Sequence, residues 1–201
     1  MKSELSLNNS VDSVFLARVE ASRIAYYTFG KKSSREPSIE YIHRLTFEIL
    51  SMEWTEPLLQ KALEIELRYE KTTLTPNIKL IDFLKLKKKE GKTIIGISDM
   101  YLSSNSISEL VFENGESLIF DELYSSADVG ESKREGALYD VVVKDMGVDK
   151  RNLLHCGDSY HSDFLMAKKH GITSFHTPRN RIWEIKTKYS HFRMLKQMGV
   201  A

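Results

Sequence analysis

The chain has 201 residues, of which 41% are hydrophobic and 28% charged, values typical of one compact globular domain with a small satellite. A net charge of +1 and the lack of any long apolar run exclude a strongly basic nucleic-acid-binding surface and membrane insertion, and we expect a cytoplasmic location. The single cysteine, Cys156, excludes an intrachain disulfide and is predicted to be a small core residue.

Three amphipathic helices are predicted in the first part of the chain, residues 1–75. Apolar residues at helical spacing over residues 11–29 predict the first helix, which is expected to end at Gly30. Ser38 is expected to cap the second helix, and the third begins near Thr55 with a proline in its first turn.

Repeated strand–helix units are predicted for residues 76–178. An apolar helical stripe at Ile78, Ile81 and Leu84 comes first. The predicted strands then cover residues 93–97, 123–124, 153–156 and 172–175, and the other predicted helices cover residues 135–146 and 164–170. Strands separated by helices predict an α/β fold with a parallel sheet and helices on both faces.

The tail, residues 179–201, is rich in arginine and lysine with apolar residues interleaved at helical spacing. A basic amphipathic helix of this kind can bind a membrane or nucleic acid. The simpler prediction, which we favour, is a C-terminal helix that packs its apolar side on the α/β core.

Polar residues follow three of the predicted strands. Ser98 and Asp99 end the first strand, and Lys133 lies in the loop after the second. Asp158 ends the third strand, and Asp163 follows five residues later. Because parallel strands bring their carboxyl ends to one edge, a hydroxyl, an ammonium and two carboxylates there suit a phosphate group bridged by Mg²⁺.

Each of these residues also has a purely structural interpretation. Ser98 could cap the next helix, and Lys133 could be an ordinary surface lysine. Asp158 could cap the helix that follows it, and Asp163 could accept hydrogen bonds from the backbone. Their joint placement after three strands favours the phosphate site.

Three ordered motifs carry a family resemblance. They are Ile97-Ser98-Asp99-Met100-Tyr101-Leu102, Gly130-Glu131-Ser132-Lys133-Arg134 and Gly157-Asp158-Ser159-Tyr160-His161-Ser162-Asp163. With these motifs the chain resembles the haloacid dehalogenase (HAD) superfamily, especially a bacterial branch of predicted hydrolases. The resemblance implies a Rossmannoid core over residues 76–178 and a small helical cap over residues 1–75.

The resemblance also implies roles for the candidate residues. Ser98 and Lys133 would be catalytic and, together with Asp99, would bind the substrate phosphate. Asp158 and Asp163 would hold Mg²⁺.

The first motif of the family is not found in the sequence. HAD enzymes begin with a strand that ends in Asp-x-Asp, whose first aspartate attacks phosphorus and whose second transfers protons. Asp12 has neither an apolar strand before it nor a second aspartate two residues on. We therefore expect that the two strands flanking the missing one pair directly, or that another segment, a partner chain or a dimer completes the sheet.

The leading functional prediction is a Mg²⁺-dependent phosphatase-type hydrolase that acts on a small phosphorylated metabolite. Without the nucleophile motif it is expected to be inactive or very weak. The alternative prediction is a non-catalytic HAD-like module that binds phosphate or a partner protein, in a polysaccharide or glycosyltransferase system.

Overall fold

The computed structural model describes residues 10–32, 36–74, 76–111 and 119–179, and four positions in the tail, Ile185, Tyr189, Arg193 and Lys196. The chain divides into two compact units, residues 1–132 and 133–201. The predicted boundaries after residues 75 and 178 stay predictions, and packing of the tail lies mostly outside the described residues. None of the described helices is both long and apolar enough to cross a membrane.

The first unit begins with four helices: α1 (Val11–Lys32), α2 (Ile39–Ile49), α3 (Glu56–Thr73) and α4 (Ile78–Lys89). The predicted cap of α2 is confirmed, because the Ser38 hydroxyl accepts a hydrogen bond from the Tyr41 backbone N–H at 3.3 Å. The predicted end of α1 at Gly30 is wrong, since the helix continues to Lys32. A glycine inside a helix costs only about 1 kcal/mol, so it does not by itself end one.

The first three helices bury two apolar clusters. Val14, Phe47, Leu59, Ala62 and Ile65 form one cluster. In the other, Ala21 and Ala25 lie fully buried against Ile42, so that small side chains let α1 and α2 approach closely. In contrast, α4 has the predicted apolar stripe but buries none of its residues fully.

Two parallel strands complete the first unit. β1 (Ile95–Ser98) pairs with β2 (Glu122–Ser125), and helix α5 (Ser104–Val111) connects them. The short helix α6 (Ser126–Val129) follows β2 directly. The sequence predicted both strands and their parallel arrangement, but it assigned no helix between them, so α5 is a finding of the structure.

The second unit contains α7 (Ala137–Met146), a 3₁₀ turn (Lys150–Asn152) and β3 (Leu154–Gly157). A π-helix (Tyr160–Met166) then continues into α8 (Ala167–Lys169) and leads to β4 (Thr173–His176). The helix predicted over residues 164–170 therefore starts earlier and is wound as a π-helix over most of its length.

The described strands form two two-stranded parallel sheets, β1 with β2 and β3 with β4. The predicted α/β class with parallel strands is confirmed. Each described strand pairs within its own unit, so the direct pairing of the two flanking strands is not observed in the described part of the chain.

The prediction that Cys156 lies in the core is wrong. Residues alternate between the two faces of a strand, and in β3 the half-buried His155 and Gly157 alternate with the exposed Leu154 and Cys156. An apolar run of this length is compatible with a strand that buries one face only.

Candidate functional site

The carboxyl end of β1 carries the first pair of predicted site residues. Ser98 is the last residue of β1 and lies opposite Ser125 in the register with β2. Ser98 and Asp99 are both half-buried. The structure thus places them at the strand end as expected, and their role in binding phosphate stays a prediction.

Two fully buried serines hold the loop that follows Ser98. The Ser126 hydroxyl accepts a hydrogen bond from the Met100 N–H at 3.0 Å, and the Ser125 hydroxyl donates one to the Leu102 carbonyl at 2.5 Å. Sequence reasoning missed this role, although two consecutive serines at the end of a strand were a visible signal. The loop backbone is fixed by these bonds, because both serines lie in the core and have few other orientations.

In the second unit, Asp163 is the centre of a buried polar cluster. Its Oδ1 atom accepts hydrogen bonds from Lys133 Nζ at 2.7 Å and from His155 Nε2 at 3.1 Å. Its Oδ2 atom accepts one from the Ser159 backbone N–H at 2.9 Å. The structure therefore brings Lys133 and Asp163 together, and it adds His155, which sequence reasoning did not identify.

The π-helix and a glycine make this geometry possible. The Asp163 carboxylate folds back against Gly157, at a distance that leaves no room for a Cβ atom there. The Tyr139 hydroxyl donates a hydrogen bond to the Ser162 carbonyl at 3.0 Å and holds the same turn. π-helical turns occur often at functional sites because they re-aim a side chain.

The cluster keeps Asp163 ionised. Burial raises the pKa of the Asp163 carboxyl, but hydrogen bonds from His155 and Lys133 outweigh this effect and hold the pKa well below its ordinary value. Lys133 consequently lies beside a fixed negative charge, and its ammonium is held in one position at the end of β3.

We expect Asp163→Asn to reduce the free energy of unfolding at neutral pH, and this reduction should shrink in acid. Above the ordinary carboxyl pKa of about 4, the ion pair with Lys133 contributes fully to stability. As the pH falls below that value the unfolded chain takes up the proton first, so the contribution is lost. Urea unfolding of both proteins between pH 7 and pH 3 measures the difference.

Asp82→Asn is the control, because Asp82 is exposed on α4. Asp82→Asn should change the free energy of unfolding by less than about 0.5 kcal/mol, as is usual for an exposed position. A difference for Asp163→Asn that stays constant down to pH 3 would contradict the depressed pKa.

Asp158 interacts with other residues than those of the Asp163 cluster. Its exposed carboxylate forms an ion pair with Arg179, and its backbone carbonyl lies 3.0 Å from His176 Nε2. Arg179 follows β4, so the pairing connects the ends of two neighbouring strands. Sequence reasoning placed Asp158 correctly at the end of β3 but did not anticipate Arg179.

The resemblance of the sequence motifs to the HAD superfamily implies Mg²⁺, and the carboxylates present do not fit a ready-made site for it. Mg²⁺ takes about six oxygen ligands in a strict octahedron, usually with one or two protein carboxylates. Both oxygens of Asp163 already accept hydrogen bonds, and Asp158 is paired with Arg179. Within the described residues, no group of three or more metal-binding side chains is found. The assignment of both aspartates to the metal stays a prediction.

Within the part of the chain that the structure describes, no Asp-x-Asp pair lies at the end of a strand. Asp12 lies in the first turn of α1, where a negative charge favours the helix, and not at the end of a strand. In the sequence no two aspartates are separated by a single residue.

Solved structures of other proteins are similar to this chain in fold. No family model matches the sequence, and neither does any curated protein. A HAD family enzyme from Bacteroides thetaiotaomicron has 15% identity, a TM-score of 0.51, and coverage of 85% of this chain and 89% of its own. A predicted HAD-like family hydrolase from Porphyromonas gingivalis has 14% identity, a TM-score of 0.51, and coverage of 86% and 88%.

A HAD phosphatase from Thermococcus onnurineus is similar to a comparable degree. It has 15% identity and a TM-score of 0.50, and the match covers 85% of this chain and 80% of that protein. At such low identity these likenesses concern the fold alone.

Proposed function

This chain has the HAD-like fold, and we propose that it is a phosphatase-type protein of that fold, which binds the phosphate group of a small phosphorylated metabolite. We further propose that this chain hydrolyses phosphate esters very slowly or not at all. The observation that carries the proposal is the buried Lys133–Asp163 pair, which holds an ammonium in place at the end of β3.

A fixed ammonium suits phosphate recognition for an electrostatic reason. The Lys133 side chain is only 11% exposed, so its interaction with an anion is weakly screened by solvent. Because Asp163 already holds the ammonium, binding requires little reorganisation of the site.

Ser98 and Asp99 keep their proposed roles at the end of β1. The Ser98 hydroxyl would donate a hydrogen bond to a phosphate oxygen. Asp99, the next residue of the same loop, would also take part in binding the substrate. Support for these roles comes from their position at a strand end and from the buried serines that hold the loop.

Weak turnover follows from the residues that would have to react. Phosphoryl transfer in this fold uses a carboxylate nucleophile and a second carboxylate for proton transfer. The described residues offer no aspartate pair at a strand end, and Asp12 belongs to a helix. Binding without efficient hydrolysis is the result that this arrangement supports.

A second candidate is a non-catalytic module that binds phosphate or a partner protein. The observation that favours it is that both aspartates of the third motif are paired internally with cations, Asp163 with Lys133 and Asp158 with Arg179. Its partner would be another chain or a second copy that adds a strand to the edge of a sheet, since such edges present unpaired backbone groups.

Phosphate binding is the first test, and Lys133→Met is the decisive change. We expect calorimetry with a phosphate monoester to show binding to the original chain and a loss of at least tenfold in affinity for Lys133→Met. Lys144→Met removes the same charge from an exposed position on α7 and should bind normally. Equal affinities of the two variants would contradict the proposed site.

Hydrolysis separates the two candidates. p-Nitrophenyl phosphate should be hydrolysed slowly or not at all, with and without Mg²⁺. Mg²⁺-dependent turnover that Asp158→Asn abolishes would establish an enzyme, and binding without any turnover would establish the non-catalytic module.

A further inference from the structure

We propose that two copies of this chain associate through the exposed face of α1, with the two helices packed antiparallel about a twofold axis. The exposed face consists of Leu16, Val19, Glu20, Arg23, Ile24 and Tyr27. The proposal concerns the first unit alone. It goes beyond the proposed function and does not depend on it.

Apolar residues lie on both sides of α1. The buried side carries small and medium apolar residues that are at most 4% exposed, namely Val14, Ala17, Ala21 and Ala25. The other side leaves larger apolar side chains 37% to 63% exposed, namely Leu16, Val19, Ile24 and Tyr27. A helix that packs one side on a core normally has polar residues on the other side. An apolar stripe on the exposed side indicates a surface that binds another molecule.

The apolar residues of this face follow the same order from either end. Val19 comes three residues after Leu16, and Ile24 comes three residues before Tyr27. When a second copy of the helix lies antiparallel in this register, Leu16 therefore faces Tyr27 of the second copy, and Val19 faces its Ile24. Each contact occurs twice, as a twofold axis requires of a surface that binds itself.

The charged residues of the face obey the same symmetry. Arg23 Nη2 lies 2.9 Å from Glu20 Oε1 within one chain, and the two side chains are 79% and 43% exposed. Such an exposed pair contributes little to one chain by itself. In the antiparallel pair of helices Glu20 faces Arg23 of the second copy, and Arg23 faces its Glu20. A parallel pair would place Glu20 against Glu20, so charge complementarity selects the antiparallel arrangement.

A groove beside the exposed face provides room for a side chain of the second copy. The groove has a volume of about 420 Å³ and lies between α1 and the end of α2, where it is lined by Ser13, Leu16, Ala17, Glu20, Ile49 and Leu50. In the antiparallel register, Tyr27 of the second copy lies opposite Leu16 and hence at this groove. Tyrosine rings are enriched in protein interfaces because they bury a large area.

One pair of helices makes a small interface. Stable dimers bury at least about 1,200 Å² in total, and a single helix face with one groove provides less, so we expect a weak dimer. The copies should be separate at about 5 µM and associate at concentrations of about 100 µM or more. Unfolding measured at the lower concentration therefore reports on the single chain.

Sedimentation equilibrium of the full chain between about 5 and 500 µM tests the proposal. We expect the original chain to form dimers, and each of the single variants Glu20→Arg and Arg23→Glu to weaken dimerisation at least about tenfold, because like charges then face each other twice. An equal mixture of the two variants should dimerise about as well as the original chain. One variant presents only positive charges and the other only negative ones, so every contact across the axis is again attractive.

The matched control is Lys61→Glu. Lys61 forms a comparable exposed pair with Glu64, also three residues apart, but on α3. Its reversal should leave dimerisation unchanged. The double variant that carries both Glu20→Arg and Arg23→Glu in one chain should dimerise like the original chain. Thermal melting of each variant verifies that it is folded, and recovery in the mixture excludes a loss of folding as the cause.

Three results would overturn the proposal. The first is an original chain that stays monomeric over the whole range of concentrations, which would leave the exposed face to a different partner. The second is a single variant, Glu20→Arg or Arg23→Glu, that dimerises as well as the original chain. The third is a mixture of the two variants that dimerises no better than either alone. The measurement involves no phosphate ester, so a failure of the proposed function would leave its outcome unaffected.

Discussion

Gly157→Ala is expected to destabilise the second unit by about 3–5 kcal/mol, the cost of disrupting a buried ion pair. A Cβ atom at this position would overlap the Cγ and Oδ2 atoms of Asp163, well inside the 3.0 Å below which real Cβ contacts are essentially never found. Asp163 would have to turn away and lose its hydrogen bonds to Lys133 and to the Ser159 N–H. Urea unfolding measures the loss.

The neighbouring residue provides the control for Gly157→Ala. Cys156 is exposed on the same strand, so Cys156→Ala should change the free energy of unfolding by less than about 0.5 kcal/mol. Gly157→Ala should also weaken binding of a phosphate monoester, because the Lys133 ammonium loses the carboxylate that holds it.

A double-mutant cycle identifies the cause of the loss. If the methyl group acts by displacing the Asp163 carboxylate, Gly157→Ala should cost much less in a chain that already carries Asp163→Ala. A cost that is the same in both backgrounds would show that the clash with Asp163 is not responsible. So would a cost below 1 kcal/mol in the original chain.

Arg18→Met is expected to destabilise the first unit by a similar amount, about 3–5 kcal/mol. Arg18 holds Glu66 with two hydrogen bonds, from Nε at 3.0 Å and from Nη2 at 2.6 Å, and the two side chains are only 16% and 14% exposed. Without the guanidinium, the Glu66 carboxylate would remain in a largely buried position with an uncompensated charge.

The neighbours of Glu66 cannot replace Arg18. His43 Nε2 lies 3.4 Å from Glu66 Oε2, but burial lowers the pKa of His43 to about 4, so the ring is neutral at pH 7. Burial and the Glu66 charge raise the pKa of Tyr101 to about 12, so its hydroxyl can donate a hydrogen bond but adds no positive charge. The pair with Arg18 is the main compensation for Glu66.

Two further variants test this explanation. Arg23→Met removes an arginine whose side chain is 79% exposed and paired with Glu20, and it should cost less than about 0.5 kcal/mol. Adding Glu66→Leu to Arg18→Met should restore much of the stability, because an apolar pair of similar size avoids burying a lone charge. An Arg18→Met cost no larger than that of Arg23→Met would contradict the burial of the pair.

Sequence reasoning was most successful where the signal was local. Ser38 and the proline after Thr55 set the starts of α2 and α3, since caps and first-turn residues act within a few positions. Short β-branched and apolar runs predicted the four strands of the described residues to within about two positions. Ser98 and Asp158 could be placed at strand ends for the same reason, before any contact was known.

Other features depend on residues far apart in the chain. Lys133 and Asp163 are 30 positions apart, and Arg18 and Glu66 are 48 apart. No periodicity connects such residues, and only packing determines which cation lies against which carboxylate. The π-helix after Ser159 and the exposure of Cys156 also depend on tertiary packing, namely on which residues lie against each face of the π-helix and of β3.

For this protein, the sequence by itself determined the α/β class, the order of the four described strands and the strand ends where Ser98 and Asp158 lie, because these properties follow from local periodicity, capping and turn residues. Lys133, which was predicted in the loop after β2, lies beyond the short helix α6. Only the tertiary structure decided the electrostatic state of the candidate site. It pairs Asp163 with Lys133 and Asp158 with Arg179, because the parallel register and the turn after β3 bring these charges within reach of each other.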